Sequence, residues 1–312
     1  MTLHDIALDA AYLAVKSPFR NIWPLVAAPA LATLISDRAA RFAPRTPEGS
    51  APLAALAALP GIVALAVILQ AIDLGKVLTW RGVVVHWLTP LIAAGLVAWA
   101  IARTVQRQSQ VAGLFAVAAP ARGRLARIAA QLGLRALEIP SAATDCFVAG
   151  VLRPTVFVSS GALARLDDAQ LRAALHHERA HVRGRDTASL VLLGFLRDLA
   201  PWGPGVALAA FRSTREAVAD RAAARSAGRL NLARALVALA RPGDASQGPA
   251  VLPMARADTF RWRMEALLDG AGAPLPSGRE WLRLAAGLVL ASSLLAWPLV
   301  QFRLMELLCG VR

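Results

Sequence analysis

The sequence predicts a mainly α fold in which multi-pass membrane helices carry an inserted α+β domain with a small sheet. Three observations predict it. Hydrophobic residues make up 57% of the 312 positions and charged residues only 17%, far from the disordered regime. The apolar residues gather into uncharged runs whose length suits a helix crossing the ~30 Å hydrocarbon core of a bilayer. Between residues 104 and 283 that texture gives way to amphipathic and strand-like pieces around "LRAALHHERAHVRGRD" (171–186), which holds three of the five histidines.

Taken in order, the N-terminal "MTLHDIALDAAYLAVKSPFR" carries acids and no basic-then-apolar leader, so no removable signal segment is expected. A first span over about 21–36, "NIWPLVAAPALATLIS", is shortened by two prolines. The second, over 51–72, has no charge before Asp73, and the third, over 83–102, ends at Arg103. A fourth, "LAAGLVLASSLLAWPLVQF" (284–302), sits between Arg283 and Arg303. The expected organisation is a membrane region over 1–110, a cytoplasmic domain over 111–283, and a last span with a short tail over 284–312. The rival reading, buried helices of a soluble all-α protein, must place several such charge-free lengths inside one core.

Basic flanks set the orientation. Six arginines and no acid lie from Arg103 to Arg135, which marks the region after 102 as cytoplasmic. The stretch 37–50, with Arg38, Arg41 and Arg45, falls inside as well, and 73–82, with only Lys76 and Arg81, falls outside. Four spans then leave both termini outside, in the cell membrane. The net charge of +14 raises the question of nucleic acid, but no aromatic platform or binding motif accompanies the scattered arginines. The densest basic cluster lies beside a span, so anionic lipid accounts for it and no direct nucleic-acid partner is expected. Cys146 and Cys309 form no disulfide framework or paired metal motif and are expected as free thiols.

Within the insert, "RGRLARIAAQLGL" places Leu125, Ile128, Ala129 and Leu132 on one helical side. "ALEIP", "DCFVAG" and "PTVFVSS" read as short strands, the last two joined by a turn at "VLRP". The helix that follows starts at Asp167, with Gln170 completing a capping-box pattern, and Gly184 is its natural stop. His177 and His181, four apart, aim at one point from one face. Glu178 projects about 100° around the helix and reaches the edge of that point. In an H-E-x-x-H arrangement zinc brings the pKa of its water toward ~7, and the glutamate takes the proton and passes it to the leaving amine. With five His and seven Glu in the chain, chance supplies this pattern roughly 0.002 times. His176 points off the ligand face and reads as packing or a substrate contact.

A catalytic zinc site needs a third protein ligand and one open position. No histidine follows His181, so the third ligand is an acid or Cys309. "STREAVADRAA" offers Glu216 and Asp220 one turn apart, the first as ligand and the second as a hydrogen-bond partner for the far nitrogen of a ligand histidine. Each has a plainer reading: Ser213 and Glu216 also spell a capping box, and Asp220 also suits a surface pair with Arg221.

"HHERAH" with "VRGRD", followed by "REAVAD", resembles the membrane-embedded gluzincin metallopeptidases, in which HExxH is completed by a downstream ExxxD. "FVAGVLRPTVFVSSGALARLDDAQLRAAL" is similar to the hairpin and helix leading into that site, and "RWRMEALLDG" (261–270) to a segment after it. Four spans with the insert before the last look most like the BlaR/MecR-type sensor peptidases, with the HtpX-like and CAAX-prenyl-protease groups close by. The resemblance covers about residues 115–276. It implies a minigluzincin-like domain binding one Zn2+ per chain through His177, His181 and Glu216, with Glu178 as base and Asp220 and Asp186 as supporting acids. It also implies that "TVFVSS" offers an edge to an extended substrate. Only "RLMELLCGVR" follows the last span, so the penicillin-binding sensor domain of BlaR/MecR-type proteins is not expected here.

The reading is therefore an integral-membrane zinc endopeptidase whose partners are a protein or peptide substrate and the lipid bilayer, with a transcriptional repressor as a substrate by analogy. Its rivals are a catalytically inactive membrane signalling or scaffold protein that keeps the fold, and a soluble helical DNA-binding protein. The only tyrosine, Tyr12, falls on the far side of the membrane in this topology. Oxyanion stabilisation is left to zinc, a backbone N–H, His176 or an arginine such as Arg221. Two segments complete the reading. Residues 187–211, apolar but interrupted by Arg197 and Asp198, form either a bilayer-surface hairpin or a buried helix pair, since a single crossing would separate Glu216 from His181. Residues 241–258, rich in Gly, Pro and Ala, read as a mobile loop.

Overall fold

The computed structural model describes residues 18–41, 50–78, 85–200, 205–240, 252–253, 263–265 and 267. Three long helices come first: α1 (Pro18–Ala40), α2 (Ser50–Leu78) and α3 (Val85–Val117). They contain the first two expected spans and nearly all of the third; the span at 284–302 lies outside the described residues. Among the described residues one stretch is long and apolar enough to cross a membrane, Ala51–Ile68 of α2, with mean hydropathy 2.3. α3 runs on without a break through the polar "RTVQRQSQ" and past residue 110.

Packing gives these helices their directions. Ala40 shares an apolar cluster with Leu53 and Leu56, while Ala32 shares another with Leu59, Val63, Val67 and Ala93, so α1 and α2 run antiparallel. Ala64 and Ala100 meet in a third cluster, which sets α3 antiparallel to α2. Large apolar side chains including Leu34, Ile62, Leu91, Trp99 and Ile101 stay exposed on these helices.

A small sheet and further helices follow among the described residues. β1 (Ala119–Pro120), α4 (Gly123–Leu132), β2 (Ala136–Ile139), β3 (Cys146–Ala149), β4 (Thr155–Ser159) and the short α5 (Ser160–Arg165) lead to α6 (Asp168–Gly184). Then come α7 (Asp186–Leu199), α8 (Val206–Ala227), α9 (Arg229–Leu239) and β5 (Leu252–Pro253). The sheet order is β1-β2-β4-β3-β5, with β2 parallel to β4 and the other pairs antiparallel. The expected face of α4 is the buried one, Leu125, Ile128, Ala129 and Leu132. It joins Val148, Val156 and Val158 of the sheet, Leu171 and Leu175 of α6, and Leu232 and Leu236 of α9 in one core.

"TVFVSS" is not an edge: β4 lies between β2 and β3, and all five of its residues are buried. A strand buried on both faces and paired on both sides has no free backbone donors to offer a substrate. The outer side of β3 is in turn paired with β5, which is the only described part of the expected 241–258 loop.

α7 and α8 are a helix pair packed on α2, with Leu190, Leu193, Ala207, Leu208 and Phe211 against Leu53, Leu56 and Ala57. Asp198 pairs with Arg107 of α3 at 2.7 Å. Asp37 of α1 accepts from the backbone N–H of Ala207 at 3.0 Å, which answers the positive end of α8. A Cβ on Gly61 would stand 2.2 Å from the Leu196 carbonyl oxygen, so glycine is what lets α2 and α7 approach this closely. The pair leaves α6 at Asp186 and returns Glu216 beside the histidines.

Candidate metal centre

Local structure aims the histidines. The capping box at the start of α6 is complete, with Asp167 accepting from the Gln170 N–H and Gln170 accepting in return. After Gly184 the chain turns through Arg185, which has left-handed backbone angles (φ 50°, ψ 39°) and donates its N–H to the carbonyls of His181 and Val182. A non-glycine residue there carries strain, and its product is an abrupt start of α7 that brings Asp186 back against His181. His181 Nδ1 lies 2.6 Å from Asp186 Oδ2, and Asp186 Oδ1 accepts from Arg215 Nε at 2.7 Å. A Cβ on Gly184 would fall 2.1 Å from Arg215 Nη2 and 2.7 Å from Asp186 Oδ1, so this glycine gives the ion pair its room.

α8 supplies the acids. Ser213 donates to the Ala209 carbonyl in the interior of α8, so no helix starts there and the capping-box reading of Ser213 and Glu216 falls. Asp220 is buried rather than paired at the surface with Arg221, and its Oδ1 lies 2.9 Å from His177 Nδ1. Glu216 Oε2 is 3.3 Å from His177 Nε2, and its Oε1 is 3.5 Å from His181 Nε2.

These distances can be tested against a metal. With both Nδ1 atoms turned to carboxylates, the two Nε2 atoms face each other as acceptors 3.1 Å apart, which calls for a cation or a proton between them. Tetrahedral coordination with 2.0–2.1 Å bonds separates ligand atoms by about 3.3–3.4 Å. The donor atoms of His177, His181 and Glu216, all buried, lie within 4.8 Å of one another. The residues present therefore fit a divalent metal with three protein ligands, each histidine held from behind by an acid.

Electrostatics follow from burial and contact. Burial disfavours a charged His177, yet its contacts with Asp220 and Glu216 outweigh that and hold it up at about 9. Burial likewise opposes the Glu216 and Asp220 carboxylates, but Arg263 and the neighbouring imidazoles keep both below the usual carboxylate range. Glu178 goes the other way, raised chiefly by burial. Both of its oxygens are buried with no hydrogen-bond partner among the described residues. His176 stays outside the ligand set; it is half-buried, and burial together with Arg179, Arg172 and Arg183 lowers its pKa.

Sequence reasoning missed two arginines. Arg215 precedes Glu216 and braces Asp186; its signal was only a basic residue one position off the acid face. Arg263 belongs to "RWRMEALLDG", a stretch noted for its resemblance but given no role, and it is buried against Glu216 and Asp220. Cys146 is a buried free thiol, pushed up by burial and then by Glu178 and Asp145; Cys309 and Tyr12 lie outside the described residues.

No curated protein and no solved structure shows a match to the chain. Residues 122–241 match the family model of peptidase family M48, and this stretch holds His177, Glu178, His181, Asp186, Glu216 and Asp220. Match and donor set together support a metallopeptidase domain of the M48 kind over residues 122–241.

Proposed function

We propose that this protein is an integral-membrane zinc-dependent endopeptidase that hydrolyses peptide bonds of protein substrates on the cytoplasmic side of the cell membrane. The observation that carries the reading is the pairing of a three-ligand donor set with an unpartnered Glu178 beside it. A structural metal site takes four protein ligands and needs no base, and a buried carboxylate without a partner is costly unless it serves the reaction.

His177, His181 and Glu216 would hold the zinc, with Asp220 and Asp186 fixing the two imidazoles. Zinc, when bound, supplies Lewis acidity that makes water nucleophilic near neutral pH and polarises a scissile carbonyl. Glu178 accepts the proton of the attacking water and delivers it to the leaving amine. Burial raises its pKa, which makes it the readier proton acceptor. The exposed apolar side chains on α1–α3 support a lipid-facing bundle. The basic stretch from Arg103 supports a cytoplasmic position for the peptidase domain. A transcriptional repressor as substrate is supported by the resemblance to BlaR/MecR-type peptidases alone.

The test is to purify wild type and Glu178→Gln in detergent, measure bound zinc by mass spectrometry, and follow cleavage of a general protein substrate. Zinc in both with cleavage only in wild type is the expected result. A folded wild type that binds no zinc defeats the reading.

A further inference from the structure

Arg263 is among the largest fully buried side chains of the described residues, 1% exposed. It donates Nε to Asp220 Oδ2 at 2.7 Å and Nη2 to Asp220 Oδ1 at 2.6 Å. Its Nη1 lies 2.9 Å from Glu216 Oε2. The first two contacts make the fork that a planar guanidinium forms with a carboxylate and that an ammonium cannot. Asp220 Oδ1 is also the atom facing His177 Nδ1, and Glu216 Oε2 the atom facing His177 Nε2. One side chain therefore grips both the third ligand of the proposed metal site and the acid behind its first histidine.

Arg263 reaches the site from outside the matched domain, which ends at residue 241. Its neighbours Met264 and Leu267 pack on the core that also holds α4, α6 and α9, so the segment is anchored by apolar contacts as well as by charge. All three guanidinium nitrogens are engaged by carboxylates, which suits a group that positions ligands rather than one that meets a substrate carbonyl.

We propose that Arg263, from beyond the matched stretch, is a positioning residue for metal binding, holding the ligand Glu216 and the acid Asp220 in place. The inference rests on the metal-site reading above. Without Arg263, Glu216 and Asp220 lose the contact that fixes their separation, and His177 loses the orientation Asp220 gives it.

The experiment compares the full-length wild type, R263Q, R263K and L267A in detergent, with zinc affinity measured by chelator competition and folding by thermal melting. R263Q is expected to weaken zinc binding about 10–100-fold, the range seen when a group behind a metal ligand is lost. R263K keeps the charge without the fork and should recover only part of that loss, and it reports on the proposal if R263Q fails to fold. L267A loosens the same segment without touching a carboxylate, so it should lower the melting temperature and leave zinc affinity unchanged. Wild-type affinity in folded R263Q or R263K overturns the proposal, as does an affinity loss in L267A equal to that in R263Q. A folded wild type that binds no zinc overturns the metal reading itself, a result separate from either.

Discussion

The helical bundle and the histidine site both bury charge, and they treat it differently. Where α1, α3, α7 and α8 meet, Asp198 faces Arg107 and Asp37 faces the start of α8; each buried acid has a partner from a distant part of the chain, and each contact joins two helices. At the site Asp186, Glu216 and Asp220 are likewise partnered, by Arg215, Arg263 and the histidines. Glu178 alone among these acids has neither oxygen satisfied within the described residues. Satisfied buried charge specifies how elements dock, whereas unsatisfied buried charge marks where the molecule is made to meet something else.

The sharpest way to break that contrast is Glu178→Gln. If Glu178 is a proton carrier, cleavage should fall about 10²–10⁴-fold with zinc retained. Because the change removes a buried carboxylate that has no hydrogen-bond partner among the described residues, the melting temperature should hold or rise. Loss of activity accompanied by a large loss of stability would assign Glu178 to the fold instead. Asp186→Asn, which keeps the shape of the brace behind His181 and removes its charge, should cost about 10–100-fold in zinc affinity or activity, read by the same chelator competition.

The bundle side predicts loss of stability without loss of chemistry. Asp198→Ala leaves the half-buried Arg107 guanidinium without its carboxylate and should cost about 1–3 kcal/mol, measured by denaturant unfolding. Gly61→Ala forces α2 away from the Leu196 carbonyl, an overpacking expected to cost about 1–3 kcal/mol. In both, the activity of the folded fraction should match wild type. A drop in its kcat would mean that the α7–α8 pair transmits its position to Glu216.

The same contrast explains what was legible in the sequence. Local signals were readable: the Asp167–Gln170 box, the apolar face of α4, the stop at Gly184, and the one-turn spacings of His177 with His181 and Glu216 with Asp220. Partnerships across long separations were not. Arg107 and Asp198 stand 91 positions apart and Arg263 and Asp220 stand 43 apart, and an arginine in a sequence does not announce which acid it will meet. The strand "TVFVS" did carry a signal that it is interior, since its apolar residues do not alternate with charged ones as on a half-exposed edge. The parallel pairing of β2 with β4, which takes away its free side, depends on a crossover that no local pattern encodes.

The smallest expected effect is a pH dependence confined to the metal-free protein. His177 is held up at about 9 against an ordinary histidine value near ~6.5. A raised folded-state pKa contributes stability that is fully present below the unfolded value and is lost as pH rises through the folded one. The melting temperature of the metal-free chain should therefore decline between about pH 6.5 and 9. Seen from Asp220, whose carboxyl is depressed, the same contact is lost only as pH falls into the acid range, so the neutral-to-alkaline slope belongs to His177. Zinc must displace that proton to reach Nε2, so affinity should climb across the same window and saturating zinc should flatten the decline in stability. Asp220→Asn removes the acid that contributes most to the shift and should flatten the slope without any metal. A slope unchanged in that variant would place the titrating group elsewhere and leave the histidine pair, like Glu178, waiting for its charge to arrive with the metal.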